Sequence, residues 1–420
     1  MRTTPFQPII TSLLEVDWYK FTMSYFIWRF YKNVRVRFAF KNRHAKRVHL
    51  PKFIPKEALI EQIRYVQTLR FTAREIAFLR ESKYIPLGFF SEAFLTALQN
   101  MRLPDVSLRW DEENSDIIVE GNWWVVTFWE TILMNIVNGL YYRTLAEQDG
   151  KTMGDLREEG LRRLMPKIDL LATRPGLLFA PFGLRRTVDL AWNREMESIL
   201  VDRLPSQVVG VSNVRSAMEL NLPPSGTCAH EILMVITALR GIVSDAELRA
   251  APIFATQQWM KAYGPKWSVA IPDTFGSDSF LRDAPPELVR EMVKWKIDSG
   301  DPREIGEKHL RVFARHEVDP HSKTLIFCDG LTEHTMIELY DHFVRHVGLL
   351  QGPGTHFSND VGYLPVSMVV KAVAVHFAGV WVSTVKLSDS HGKEQGNDIE
   401  VARYERVFER HTEYTPEISV

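Results

Sequence analysis

From about residue 175 the chain repeats one unit: a short apolar run, a polar turn containing glycine, then a helical pattern. Residues 177–180 lead into Phe182-Gly183-Leu184-Arg185-Arg186, and 208–209 into Gly210-Val211-Ser212-Asn213. A third segment ends in Gly226-Thr227-Cys228-Ala229-His230-Glu231, and 268–271 leads into Pro272-Asp273-Thr274-Phe275-Gly276. Residues 293–297 then reach Asp298-Ser299-Gly300-Asp301, 324–327 reach Cys328-Asp329-Gly330, and 347–350 reach Gly352-Pro353-Gly354-Thr355. Short strands separated by helices pair in parallel, so the repetition predicts an irregular, TIM-like α/β barrel with its reactive turns on the C-terminal face. A doubly wound open sheet is the alternative, because counting units does not establish closure.

The flanks differ. Residues 1–145 mix helical and strand patterns, with helices over 12–31, 53–67, 91–98 and 129–142 and a strand over 34–40. Residues 117–120 and 123–128 around Gly121-Asn122 read as a hairpin. Residues 366–385 form a long apolar stretch interrupted by Lys371, His376 and Gly379, which suits a hairpin turning at Ala378-Gly379 better than a membrane span. A hairpin needs a sheet to cover it, so 364–420 is expected to join 1–145 in one α+β domain, with 146–363 forming the barrel.

Composition narrows the partners. Lys plus Arg number 51 and Asp plus Glu 52, so no global field draws the chain to nucleic acid or an anionic membrane. The two cysteines, Cys228 and Cys328, are too few for a disulfide framework, and the first twenty residues lack a signal-peptide pattern. A cytoplasmic location is expected.

The turns carry the chemistry. Asp273, Asp298, Asp301 and Asp329 would share one barrel face, where like charges call for a divalent cation, a cationic neighbour or ligand hydroxyls. Gly352 to Thr355 can cradle a phosphate, and Arg185 and Arg186 offer guanidinium forks for phosphate or carboxylate. There is no P-loop, His230-Glu231 lacks the second histidine of a zinc-protease helix, and Gly210 opens no nucleophile elbow. Cys228 beside His230 is a weaker candidate for a thiol nucleophile. These features point to a phosphorylated sugar and a divalent metal at a barrel mouth without fixing the reaction.

The motifs resemble those of the nicotinate phosphoribosyltransferases, among the type II phosphoribosyltransferases, almost from end to end. The likeness starts at Leu13-Leu14-Glu15-Val16-Asp17-Trp18-Tyr19-Lys20 and takes in Gly121-Asn122-Trp123 and Trp129-Glu130. It continues through the seven turns above, and ends at Lys386-Leu387-Ser388-Asp389-Ser390 and Gly392-Lys393.

The resemblance implies condensation of nicotinate with 5-phosphoribosyl-1-pyrophosphate (PRPP) to nicotinate mononucleotide and pyrophosphate in NAD salvage, with Mg²⁺ and ATP hydrolysis. His230 resembles the histidine phosphorylated by ATP, with Asp273 and Asp298 as catalytic carboxylates. Phe182 and Tyr19 resemble the rings that sandwich the pyridine; in the family the second ring comes from a neighbouring subunit, which implies a homodimer with shared sites. Gly183, Arg185, Ser212, Asn213, Thr227, Lys296, Ser299, Gly300, Asp301, Asp329, Gly330, Gly352, Gly354 and Thr355 fall in the motifs expected to bind substrate. Lys296 stands where the family usually has Arg, and metal ligands stay unassigned. The alternatives are a relative using nicotinamide or quinolinate, and a weakened paralogue that senses PRPP or a pyridine nucleotide.

Overall fold

The computed structural model describes residues 6–226, 228–390 and 394–410. In β1 (Arg35–Asn42) Val36, Phe38 and Phe40 point into the core while Arg35 and Lys41 face solvent, the alternation of a half-buried strand. β1 pairs antiparallel with β3 (Ser115–Asn122) on one side and with β7 (Met368–Phe377) on the other. β2 (Val106–Trp110) and β8 (Val380–Ser383) form the edges, giving the order β2-β3-β1-β7-β8. The C-terminal hairpin, which turns at Ala378 and Gly379, therefore completes a sheet begun by the N-terminal segment. This α+β unit sits beside the barrel, and the fold class is the one the sequence implied.

Two local expectations differ from the structure. The hairpin over 117–128 does not form: β3 runs through Gly121 and Asn122, which pair with Val36 and Arg35, and Trp123–Val126 turns into a short helix. Its aromatic and β-branched residues favour strands, but burial decides here, because Trp123 packs out of solvent and its Nε1 donates to Glu231 at 2.7 Å. The first helix spans Trp18–Phe30 rather than starting at 12. Residues ahead of it are tied down instead, Glu15 by Arg194 and Arg215 at 3.0 and 3.1 Å and Asp17 by a bridge to Asn213. The helix Trp129–Gln148 is buried on every side over its first three turns, so apolar residues occupy all its faces, with Glu130, Thr131, Asn135 and Asn138 buried among them.

Parallel pairing builds the barrel. β4 (Lys294–Ile297), β5 (Thr324–Phe327) and β6 (Gly348–Gln351) make a continuous sheet. Single parallel bridges extend it: Ala270 to Trp295 at one side, and Gln351 to Phe179, Phe179 to Val208 and Val211 to Pro224 at the other. Each extended segment except the one at Pro224 thus pairs with the next in sequence, and the last returns to the first. A doubly wound sheet would reverse its strand order midway, so the sequential ring identifies a barrel. No bridge joins Pro224 to Ala270 among the described residues, and that seam makes the barrel irregular.

Candidate active site

The turns at the C-terminal ends of these strands surround a cavity of about 650 Å³. Tyr19, Phe182, Gly183, Arg185, His230, Lys296, Asp298, Asp329, Gly330, Gly352, Gly354 and Thr355 all line it. Sequence-distant motifs therefore converge on one chamber, of the size that small-molecule sites have.

One end is aromatic. The Phe182 and Tyr19 rings approach a common point at Gly226, where an added Cβ would lie 3.0 Å from Phe182 Cζ and 3.7 Å from Tyr19 Cδ1. The Tyr19 hydroxyl is buried and has no hydrogen-bond partner among the described residues. Both rings belong to one chain. The ring expected from a neighbouring subunit has its counterpart here in the chain's own Tyr19. Gly352 lies equally close, its added Cβ meeting Cys328 Sγ at 2.9 Å and Phe182 Cδ2 at 3.1 Å, so only a bare backbone fits beside the ring.

His230 opens the helix His230–Gly241, where unpaired backbone N–H groups favour negative charge. Its Nδ1 lies 3.0 Å from Thr274 Oγ1, and its Nε2 lies 3.0 Å from Asp298 Oδ2 and 3.1 Å from Lys386 Nζ. Burial, opposed by Asp273 and aided by Lys386, lowers the imidazole to about 4, so the ring is neutral near pH 7. Asp298 is held well below the usual carboxylate range: burial works against this, but Lys296 at 2.9 Å and His230 override it. Asp273 is buried behind His230, accepts from Ser299 Oγ at 2.7 Å and lies 3.5 Å from Lys386.

Four cations, Arg185, Arg186, Lys294 and Lys296, also line the cavity. Burial, then Arg185 and Arg43, brings Arg186 down to about 10, and burial with Lys386 brings nearby Lys371 to about 7. Crowded cations that depress one another mark a place for a polyanion. Lys386 is the functional candidate missing from the expected set, whereas Arg186 is one of the two guanidinium forks expected there. Arg186 directly follows Arg185 in its turn, whereas nothing in the spacing of Lys386 signals that its segment crosses to the barrel mouth.

Several expected site residues do other work. Ser212 and Asn213 are buried away from the cavity: the Ser212 carbonyl accepts from Trp18 N at 2.7 Å, and Asn213 caps the helix Val214–Glu219. Ser299 supports Asp273, and the Gly300 amide donates to Ser390 Oγ at 3.1 Å. Asp301 caps the helix Pro302–Arg315 by accepting from Glu304 N at 2.8 Å, so its carboxylate is used by the backbone. Thr227, Gly392 and Lys393 lie outside the described residues. The thiol candidate Cys228 is set aside by burial, which pushes it well up, and burial likewise pushes Cys328 up to about 12.

Fold and cavity together define an α/β-barrel enzyme that handles a phosphorylated ligand at the C-terminal rim. Residues 177–412 match the model of the nicotinate phosphoribosyltransferase (NAPRTase) family, and residues 14–138 match that of its N-terminal domain. The chain belongs to the nicotinate phosphoribosyltransferase family. It is 27% identical to the nicotinate phosphoribosyltransferase of Porphyromonas gingivalis, with a TM-score of 0.84 over 96% of this chain and 100% of that one. The Vibrio cholerae nicotinate phosphoribosyltransferase shares 27% identity and a TM-score of 0.82, over 96% of this chain and 94% of that one. The activity is thus condensation of nicotinate with PRPP to nicotinate mononucleotide and pyrophosphate. No helix among the described residues is long and apolar enough to cross a membrane.

Proposed function

We propose that the pyridine ring of nicotinate stacks between Tyr19 and Phe182, that PRPP fills the remainder of the cavity, and that ATP drives turnover by phosphorylating His230. The observation that carries this reading is the convergence of Phe182, His230, Asp298 and Gly354 on one chamber.

Stacking aims the ring nitrogen, already nucleophilic, at the anomeric carbon of PRPP, so positioning supplies much of the acceleration. As the bond to pyrophosphate lengthens, positive charge grows on the ribose, and the ionised Asp298 stabilises it. Arg185, Arg186 and Lys296 offset the phosphate charges, with the 5′-phosphate against the bare backbone at Gly352 and Gly354. Asp329 lines the cavity and would help to hold Mg²⁺ together with the pyrophosphate oxygens. When bound, Mg²⁺ would neutralise charge on the leaving pyrophosphate. A phosphoryl group on His230 would add negative charge beside Lys296 and Lys386, changing how firmly those cations hold the pyrophosphate.

The test is incubation of purified protein with ATP labelled at its γ-phosphate, beside His230→Ala. Acid-labile label on the unmodified chain alone is expected, together with nicotinate-dependent release of pyrophosphate from PRPP. Equal labelling of both chains would remove His230 from the mechanism. Turnover with nicotinamide or quinolinate but not nicotinate would overturn the substrate reading, and PRPP binding without turnover would favour a sensor.

A further inference from the structure

Between Lys41 and Lys56 the chain carries six Lys or Arg residues and no Asp or Glu, although the two signs are nearly balanced over the whole sequence. All six are exposed. None forms an ion pair among the described residues, whereas Arg37 before them and Arg80 after them each pair with a glutamate. Like charges crowded together without counter-ions repel one another, so a run of this kind suits an anion arriving from outside.

The run is a built loop, and it docks at the barrel mouth. The Asn42 side-chain amide donates to the Val48 carbonyl at 2.7 Å, and its Oδ1 accepts from His44 N at 2.9 Å. Arg47 N and Val48 N both donate to the His44 carbonyl at 2.8 Å, which turns the chain so that Lys46 and Arg47 stay close to His44. On its other side Arg43 N donates to the Ser367 carbonyl at 2.8 Å, and Ser367 N donates to His44 Nδ1 at 3.3 Å. Ser367 lines the cavity together with Pro365 and Val366. Lys46 is two residues from His44, about 7–8 Å of chain, and the screening length in physiological salt is about 8 Å. The charge of the loop is therefore only partly screened at the cavity edge. Arg43 shows the reach: its guanidinium is lowered by burial against the pull of Asp329 on the cavity wall, and it joins burial and Arg185 in lowering Arg186.

We propose that the loop 41–52 is an electrostatic collector for polyphosphate substrates, drawing PRPP and ATP to the cavity before they meet the residues that bind them. The proposal rests on the reading that PRPP and ATP share this cavity. Attraction grows with the charge of the ligand, so a pyrophosphate or triphosphate is drawn strongly and singly charged nicotinate weakly. Nucleic acid also seeks cations, but the whole chain has a net charge of -1, and the loop opens on an enclosed chamber of about 650 Å³ rather than an extended groove. The loop acts at a distance. Its cations need no contact with bound substrate, and their effect fades as added salt shortens the screening length.

The test is the double variant Lys46→Gln/Arg47→Gln, two exposed side chains outside the cavity lining, with kcat/KM for PRPP and for ATP measured at about 0.02 M and about 0.5 M salt. At low salt both values are expected to fall roughly threefold to tenfold, while kcat at saturation and kcat/KM for nicotinate change less than about twofold. At high salt the two chains are expected to converge, and Lys46→Glu/Arg47→Glu should deepen the loss at low salt. A loss for PRPP alone or for ATP alone would support the collector and name its ligand. Equal kcat/KM for wild type and double variant at low salt would overturn the proposal. So would a difference that persists undiminished at high salt, the mark of a packing defect. Unchanged PRPP and ATP kinetics in a variant that no longer bound a single-stranded DNA or RNA oligomer would also overturn it, giving the loop to nucleic acid. Absence of turnover in the wild-type chain would instead fail the reading of the cavity. Titration of both chains with inorganic pyrophosphate at low salt would then still report on the loop, with weaker binding by the variant expected and equal binding overturning the proposal.

Discussion

Lys20 and Glu231 lie 211 positions apart in sequence, yet Lys20 Nζ meets Glu231 Oε2 at 2.8 Å with the lysine fully buried. The same ammonium meets Glu130 Oε2 at 2.5 Å, and Glu130 Oε1 accepts from Arg185 Nη1 at 2.8 Å. One buried cation thereby joins the first helix, the central helix and the helix that starts at His230. Lys20→Met would strand two buried carboxylates, an imbalance worth about 3–5 kcal/mol. The expected outcome is a lower midpoint in urea unfolding together with loss of activity, since Arg185 and His230 are set by the same contacts. Glu130 adds a pH signature. Burial alone would raise its carboxyl, but Lys20 and Arg185 bring it from 4.5 to about 2. A depressed carboxylate stabilises the fold above its unfolded value and ceases to do so as pH falls through the folded one. Stability should therefore decline between pH 4.5 and 2, and less steeply in the Lys20→Met variant.

The aromatic end yields a steric prediction. Gly226 has φ +103°, a conformation that side chains rarely adopt, and an added Cβ would press on Phe182 at 3.0 Å. Gly226→Ala should narrow the slot between Phe182 and Tyr19 at a cost of about 1–3 kcal/mol. Steady-state kinetics are expected to show a higher KM for nicotinate, with KM for PRPP changed less. An unchanged nicotinate KM would place the pyridine elsewhere in the cavity.

Much of this site was legible because barrel chemistry is local: Asp298 and Gly352 directly follow strands, Phe182 and His230 come a few residues after the bridged positions Phe179 and Pro224, and strand ends in a barrel point to one rim. The same logic misassigned Asp301, since a carboxylate after a strand can serve the next helix as readily as a ligand, and nothing in the letters DSGD says which. Ser212 and Asn213 share that fate. Lys386 and Lys20 were illegible as neighbours of the site for another reason. Both come from outside the barrel repeat, and long-range docking of the N-terminal helix and the C-terminal segment leaves no periodic trace. The false hairpin at 117–128 came from trusting strand propensity where burial rules.

Lys296 tests how much a point charge contributes at this rim. It lies 2.9 Å from Asp298 and on the cavity wall, positioned to serve both the carboxylate and an incoming anion. A hydrogen bond to a charged group contributes about 1.5–3 kcal/mol, so Lys296→Ala should raise KM for PRPP or nicotinate roughly tenfold to a hundredfold. Lys296→Arg should retain binding, since the guanidinium keeps the charge and adds a fork. Kinetics with each substrate varied in turn would show which anion it meets, and no change in either would confine Lys296 to Asp298.

Glu197 predicts a pH response of the opposite sign to that of Glu130. It is buried, and desolvation, opposed by Ser216 and Asn193, raises it from 4.5 to about 8. Its folded form thus holds a proton that the unfolded chain releases above pH 4.5, so stability falls as pH rises from 4.5 to 8 and then levels. Glu197→Gln keeps the neutral shape without a proton to lose. In urea titrations the variant should gain stability over wild type at pH 8 and match it near pH 4, and equal pH slopes for the two chains would contradict a protonated Glu197.

His230 gives the prediction closest to the chemistry. Burial, opposed by Asp273 and aided by Lys386, lowers it from 6.5 to about 4. Between those values the unfolded chain binds a proton that the folded ring refuses, so this group weakens the fold as pH falls from 6.5 towards 4 and has no effect above. For catalysis the consequence is an absence of titration where histidine usually titrates: the ring is already an unprotonated nucleophile at pH 5.5. The rate of label transfer from ATP should therefore show no inflection near 6.5, and the His230 ring proton shifts should stay flat from pH 8 to about 5. In Lys386→Met the repulsion from the neighbouring ammonium is gone while Asp273 and Asp298 remain, so the ring should titrate at a higher pH than in wild type. An inflection near 6.5 in the unmodified chain would mean that solvent reaches the imidazole and that its neighbours do not hold it neutral.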